Sequence, residues 1–150
     1  MKSTTKSKYI YSVIGLAILA AIYFITRPDT TSFKELVLDR VNVADVTSIE
    51  IVETKESSTQ EEEIVVTDRD EIENIMNGFA QVKLRESDSG GSFGEAYWIH
   101  IKVDGYPRFG LHLNDQNYIY IHDLQRNDKY NGSYRITNEF NSEFINHLFK

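Results

Sequence analysis

Along the C-terminal two thirds of the chain, apolar and polar residues alternate with a period of two, interrupted where the period lengthens to that of a helix. In residues 96–103 the odd positions Tyr97, Ile99, Ile101 and Val103 share one face; in 108–113 Phe109, Leu111 and Leu113 do so; in 118–122 Ile119 and Ile121 do. Three such runs in succession predict an antiparallel meander, with a further short strand around residues 134–137. Upstream, residues 46–52 and 63–67 form two strands joined by the polar stretch 53–62, a solvated and mobile hairpin loop, and residues 81–85 alternate as another strand. Between these, Ile72, Ile75, Met76 and Phe79 recur at helical spacing behind the cap signal Asp68-Arg-Asp-Glu71. Ser32-Phe-Lys-Glu35 is a capping box that opens a brief helix to about Arg40. Asn138 is expected to cap a C-terminal helix that carries Phe140, Phe144 and Leu148, with Ile145 and Phe149 beside them and Phe144 in the core. Both clear helices have a single apolar stripe. The economical arrangement lays them on the aliphatic face of one mainly antiparallel sheet, an α+β two-layer fold.

Strand alternation constrains the first hairpin of the meander. Asp104-Gly105 resembles a two-residue turn, but a plain hairpin of that length sets Ile101 opposite Arg108 and Tyr97 opposite His112, mixing the two faces. An odd loop over residues 104–106, with Gly105 or Tyr106 absorbing a bulge, sets Ile101 opposite Phe109 and Ile99 opposite Leu111. We expect the odd loop.

The N-terminus has a different pattern. Residues 9–26 carry no charge, and as a helix they would reach roughly 27 Å, close to the hydrocarbon thickness of a bilayer. Tyr9 and Tyr11 at one end and Tyr23 at the other suit the headgroup belts, while Lys2, Lys6 and Lys8 against the single Arg27 orient the N-terminus inward. A cleaved signal peptide would want an A-x-A arrangement after the apolar run, and the nearest match is Thr30-x-Ser32. The expected organisation is therefore a cytoplasmic basic tail over 1–8, a signal-anchor transmembrane helix over 9–26, a linker over 27–31 and one extracytoplasmic domain over 32–150. The chain is expected to be a single-pass protein of the cell membrane.

Composition narrows the function classes. Setting aside Lys2, Lys6, Lys8 and Arg27 leaves 12 of the 16 basic residues against 23 acidic ones, a net charge of −11. So acidic a domain repels phosphate backbones and lacks a basic stripe for nucleic acid. The absence of cysteine removes disulfides, thiolate metal sites and thiol nucleophiles. The connector 87–94 is rich in glycine and serine but lacks the Gly-Lys-Ser/Thr ending of a phosphate loop. There is no nucleophile elbow, local triad or cofactor fingerprint, so no catalytic residue and no cofactor are expected.

The expected register gathers one cluster on the face away from the helices: Trp98, His100 and Lys102, then Arg108, Gly110 and His112, then Tyr118, Tyr120 and His122. Gly110 would leave a shallow gap between His100 and His122, roughly 9–10 Å apart at two strand spacings. Three histidines suggest zinc, but ligands must converge within about 2 Å of the ion, and that reach is too wide. Rings packed against one another or a partner are the alternative, and no metal is expected. Trp, Tyr and Arg beside glycines resemble the anchors of a binding surface, so Trp98, His100, Arg108, His112, Tyr118, Tyr120 and His122 are the candidate contact residues. Cover from Phe33, Leu36, Val41 and Val43 is the structural alternative.

In layout, Val46-Thr-Ser-Ile-Glu-Ile, then Thr67-Asp-Arg-Asp-Glu-Ile-Glu-Asn-Ile-Met, then the terminal Asn-Glu-Phe-Asn-Ser-Glu-Phe-Ile-Asn-His-Leu-Phe resemble small uncharacterised extracytoplasmic domains of Bacillus-type bacteria, either membrane-anchored or lipoproteins. The resemblance implies a tether and carries no activity. The function expected is a membrane-tethered extracytoplasmic binding or interaction module with a protein or envelope partner. An envelope-acting hydrolase and an inhibitor or immunity protein against a secreted toxin are the alternatives.

Overall fold

The computed structural model of the chain describes residues 4–25, 30–55, 61–88, 96–126 and 131–150. Within them, helix α1 (Thr4–Ile25) precedes a mixed α+β domain of eight strands and three short or medium helices. The strands are β1 (Thr30–Ser32), β2 (Val46–Thr54), β3 (Glu62–Val66), β4 (Lys83–Glu86), β5 (Ala96–Val103), β6 (Tyr106–Asn114), β7 (Tyr118–Asp123) and β8 (Gly132–Ile136). The helices are α2 (Phe33–Leu36), α3 (Arg69–Ala80) and α4 (Glu143–Asn146). All the strands join one antiparallel sheet in the order β1-β4-β8-β7-β6-β5-β2-β3. Strands β5 to β8 are the meander expected from the alternation. The expected loop 53–62 is shortened by strands that reach Thr54 and start at Glu62, and its residues 56–60, like residues 89–94 of the connector, lie outside the described residues.

One face of the sheet and all three domain helices share a single core. Ile49, Ile51, Ile99, Ile101, Leu111, Ile119 and Ile121 from the strands meet Phe33, Ile72, Ile75, Met76, Phe79 and Ile145 from the helices. Local sequence positions α2 and α3 as their cap signals predict. Ser32 Oγ accepts a hydrogen bond from Glu35 N at 3.2 Å, and Asp68 Oδ1 accepts one from Glu71 N at 3.0 Å. The first helix stops at Leu36 and continues only as a 3-10 turn over Leu38–Arg40.

The first meander hairpin keeps the expected pairing, Ile101 opposite Phe109 and Ile99 opposite Leu111, but reaches it differently. Asp104 (φ 52°) and Gly105 (φ 80°) do form a two-residue turn between Val103 and Tyr106, which are paired. The odd residue is absorbed one step later: Lys102 pairs with Pro107 and Ile101 with Phe109, leaving Arg108 as a bulge. Proline cannot donate to the ladder, which suits a strand at a bulge. β2 has a matching irregularity at Thr47, whose hydroxyl accepts from Gly105 N at 3.0 Å and lies 3.3 Å from Lys102 O.

Three expectations need correction. Residues 30–31 are not linker, because Thr30–Ser32 pairs with β4 as an edge strand. Nor does Asn138 cap a helix. Its Oδ1 accepts from Lys83 N at 2.8 Å and its Nδ2 donates to Gln81 O at 2.9 Å, so it fastens the terminal segment to the start of β4. Helix α4 begins only at Glu143, and Ile145, not Phe144, is its fully buried residue. Phe144 is half-buried, edge-on to Phe79 with ring centres 5.1 Å apart. It lies so close over α3 that a Cβ at Gly78 would come within 2.6 Å of its ring.

Helix α1 stands apart. Tyr11, Leu16 and Leu19 are 72%, 74% and 67% exposed, and among the residues whose burial is described none from α1 belongs to the core. Among the described residues no helix is long and apolar enough to cross a membrane. The helix opens with the polar run Thr4-Thr-Lys-Ser-Lys8, and its uncharged remainder, residues 9–25, would reach only about 26 Å against about 30 Å of hydrocarbon.

The close approach at Gly78 yields a signed test. Alanine is favoured over glycine in a helix interior by about 1 kcal/mol, yet Gly78→Ala is expected to destabilise the protein in urea unfolding because it displaces Phe144. In a Phe144→Ala background the same substitution should stabilise. Additive effects in the two backgrounds would show that α4 does not dock on α3 in this way.

Candidate functional site

The sheet face opposite the helices is the surface on which the sequence places its unusual residues. Cross-strand pairing sets Trp98 beside His112 and His112 beside Tyr120, in one row across β5, β6 and β7. A second row runs Glu50, His100, Gly110, His122. Trp98 and Tyr120 are 45% and 42% exposed, and Val65 and Leu124 flank the rows with 52% and 44%. Phe33, Leu36, Val41 and Val43 lie in or against the core on the other face and do not cover these rings.

Within the rows the rings order one another. The Trp98 and His112 rings stack at 4.0 Å and 15°, and Tyr120 meets His122 at 6.3 Å and 75°. The gap at Gly110 is occupied: a Cβ there would meet His100 Cδ2 at 3.6 Å and Leu124 Cδ1 at 3.8 Å. Lys102 Nζ pairs with Glu50 Oε1 on the neighbouring strand. Among the described residues no group of three or more histidine or carboxylate ligands could hold a metal ion. Burial under the indole lowers the pKa of His112 from the ordinary histidine value, because desolvation penalises the imidazolium.

Arg108 does not belong to this surface. As the bulge residue it is buried, and its guanidinium pairs with Asp123 Oδ1, with Cζ 4.6 Å from the centre of the Phe109 ring. Asp123 Oδ1 also accepts from Gln125 N and Arg126 N, each at 3.1 Å. Asp123 Oδ2 is buried without a hydrogen bond among the described residues, and Arg40 Nη1 stands 3.8 Å away. Alternation along β6 in the sequence sends Arg108 outward with His112; the bulge reverses it. The other six candidate residues are brought together, with Tyr118 half-buried at the margin opposite Arg135.

Clefts among the described residues lie elsewhere. One of about 170 Å³ is lined by Tyr97, Asn114, Asp115, Phe140 and Asn146 among others; Tyr97 Oη there is 2.9 Å from Asn146 Oδ1 and 3.0 Å from Glu53 Oε1. Another, about 360 Å³, lies between the end of α3 and residues 138–144. Among the described residues, Asp115 lines the first cleft and Glu139 the second. Neither a known protein family, nor a characterised protein, nor a solved structure matches this chain.

The His112 environment sets a pH dependence. Its folded pKa is depressed, so the unfolded chain takes up the proton first as the pH falls. Its contribution to stability is therefore full above about pH 6.5, the unfolded value, and is lost as the pH falls toward the folded pKa. His112→Gln should flatten that portion of a plot of melting temperature against pH. An identical acid slope in parent and variant would show that the stack does not hold the neutral imidazole.

Proposed function

We propose that the chain is a membrane-tethered extracytoplasmic interaction module, in which α1 is the anchor and the outer sheet face contacts a protein or envelope partner. The observation that carries this reading is the position of Trp98 and Tyr120, large, exposed and central on a sheet face that no described element covers. Aromatic anchors ringed by polar residues are the composition of interface centres. The Trp98–His112 stack and the Tyr120–His122 edge contact order those anchors before partner contact, which reduces the ordering cost of binding.

The tether rests on the run of exposed apolar residues in α1 and on the basic residues before it. A hydrophobic length a few ångströms short is accommodated by local thinning of the bilayer. On this reading the full-length chain stays with membranes through an alkaline wash and its domain is digested by protease added outside. Release by the wash, or protection from the protease, would contradict it.

Photocrosslinking tests the contact face. Crosslinkers placed at Trp98 or Tyr120 in native membranes should give the same adduct, and one at Asn77, exposed on α3, should not. Trp98→Ala and Tyr120→Ala should each weaken that contact by about 1–2 kcal/mol, roughly tenfold in Kd. Adducts only from Asn77, or none lost in the alanine variants, would remove the outer face from the proposal.

A further inference from the structure

A second patch on the outer face has no role in partner contact as described. Arg85 on β4 and Arg135 on β8 are directly opposite in the ladder, and both are exposed. Neither is ion-paired among the described residues. Like charges directly opposite on adjacent strands destabilise the pairing, so this juxtaposition is a cost to the β4–β8 ladder. Lys83, two residues before Arg85 and also exposed, shares their face.

The patch adjoins the tether. Thr30, the first residue of β1, is the ladder partner of Arg85. It follows Ile25, the last residue of α1, by five positions, a step of at most about 18 Å of extended chain. Glu62 and Glu63 lie on β3 at the far edge, five to six strand spacings or about 24–29 Å from the basic patch, which is several Debye lengths at physiological salt. On the outer face the sheet is thus basic beside the tether, at Lys83, Arg85 and Arg135, and carries Glu63 at the opposite edge.

We propose that Lys83, Arg85 and Arg135 dock onto anionic phospholipid headgroups of the bilayer that holds α1, seating the domain with its β3 edge pointing away. This inference rests on the membrane-tether reading. Guanidinium forks match phosphate oxygens in geometry as well as charge. The tether keeps the patch at high effective concentration beside the surface, so weak contacts suffice, and each basic residue near an anionic surface favours docking by about fivefold. Strand twist of about 20–25° per step turns the sheet by on the order of 60–100° between β4 and the strands that carry Trp98 and His112, leaving the aromatic rows clear of the bilayer.

The full-length chain, which has no cysteine, is reconstituted into vesicles of phosphatidylcholine alone or mixed with phosphatidylglycerol. A single cysteine at Ser133 on β8, or at Thr67 beside β3, carries a fluorophore whose energy transfer to a headgroup-labelled lipid reports its distance from the surface. Transfer from position 133 should exceed that from 67 in anionic vesicles and fall in neutral ones. Arg85→Glu with Arg135→Glu should lower the docked-to-undocked ratio by about 25-fold or more, at fivefold per arginine, while Arg85→Lys with Arg135→Lys retains most of it. Transfer that is the same in both lipid mixtures, or unchanged by charge reversal in a chain that resists alkaline extraction and melts like the parent, overturns docking and leaves the tether standing. Release of the chain by alkaline extraction overturns the tether reading, and the docking inference with it.

Discussion

One constraint governs the domain: a strand's side chains alternate between faces, so a hairpin must keep parity or mix core and solvent residues. The β5–β6 hairpin meets it with a tight Asp104-Gly105 turn followed by a bulge at Arg108. With that one extra residue, Ile99 and Ile101 face Leu111 and Phe109 in the core, and Trp98 faces His112 outside. Without it the aliphatic and aromatic sets would exchange partners, and neither the helix-covered face nor the outer rows would exist.

The bulge also decides where charge is buried. Turning Arg108 inward brings its guanidinium to Asp123, which the same alternation places on the core side of β7 opposite Phe109. Removing one partner of a buried pair strands the other charge in low dielectric, a cost of about 3–5 kcal/mol. Asp123 Oδ1 also receives two backbone amides of the segment after β7, so the pair fastens that loop as well as the sheet end. Charges on the outer face follow the opposite rule. Glu50 and Lys102 neutralise each other locally, whereas Arg85 and Arg135 stand directly opposite across the ladder with like charge.

The helical layer is held by aromatic stacking and side-chain clamps more than by helix length. Phe33 stacks on Phe79 at 4.7 Å, and Phe79 in turn meets Phe140 and Phe144, so α2, α3 and the terminal segment converge on one ring. Arg69, at the start of α3, donates to Val43 O at 2.8 Å and Ala44 O at 3.2 Å, fixing the helix over the entry to β2. His147 reaches Glu71 at 3.1 Å from the far end of the chain. These contacts let a four-residue helix, too short to be stable alone, close the core.

Local sequence by itself determined much of this protein. The period-two runs set the strands, the Ser32 and Asp68 caps set the helix starts, and the 72-75-76-79 spacing set the buried stripe, because each depends on residues a few positions apart. Parity even set the pairing of β5 with β6. Only the tertiary structure decided the rest. β1 is three residues with no pattern of their own and becomes a strand because β4 offers an edge. Asn138 matches a helix cap by type but finds the Lys83 amide and Gln81 carbonyl 55 and 57 residues away. Arg108 lies on the outer face by counting and in the core by structure, since a bulge restarts the alternation and its location depends on which residue the neighbouring strands leave unpaired. Pairing between distant strands likewise brought Arg85 opposite Arg135, for a ladder partner 50 positions away leaves no periodic trace in the sequence.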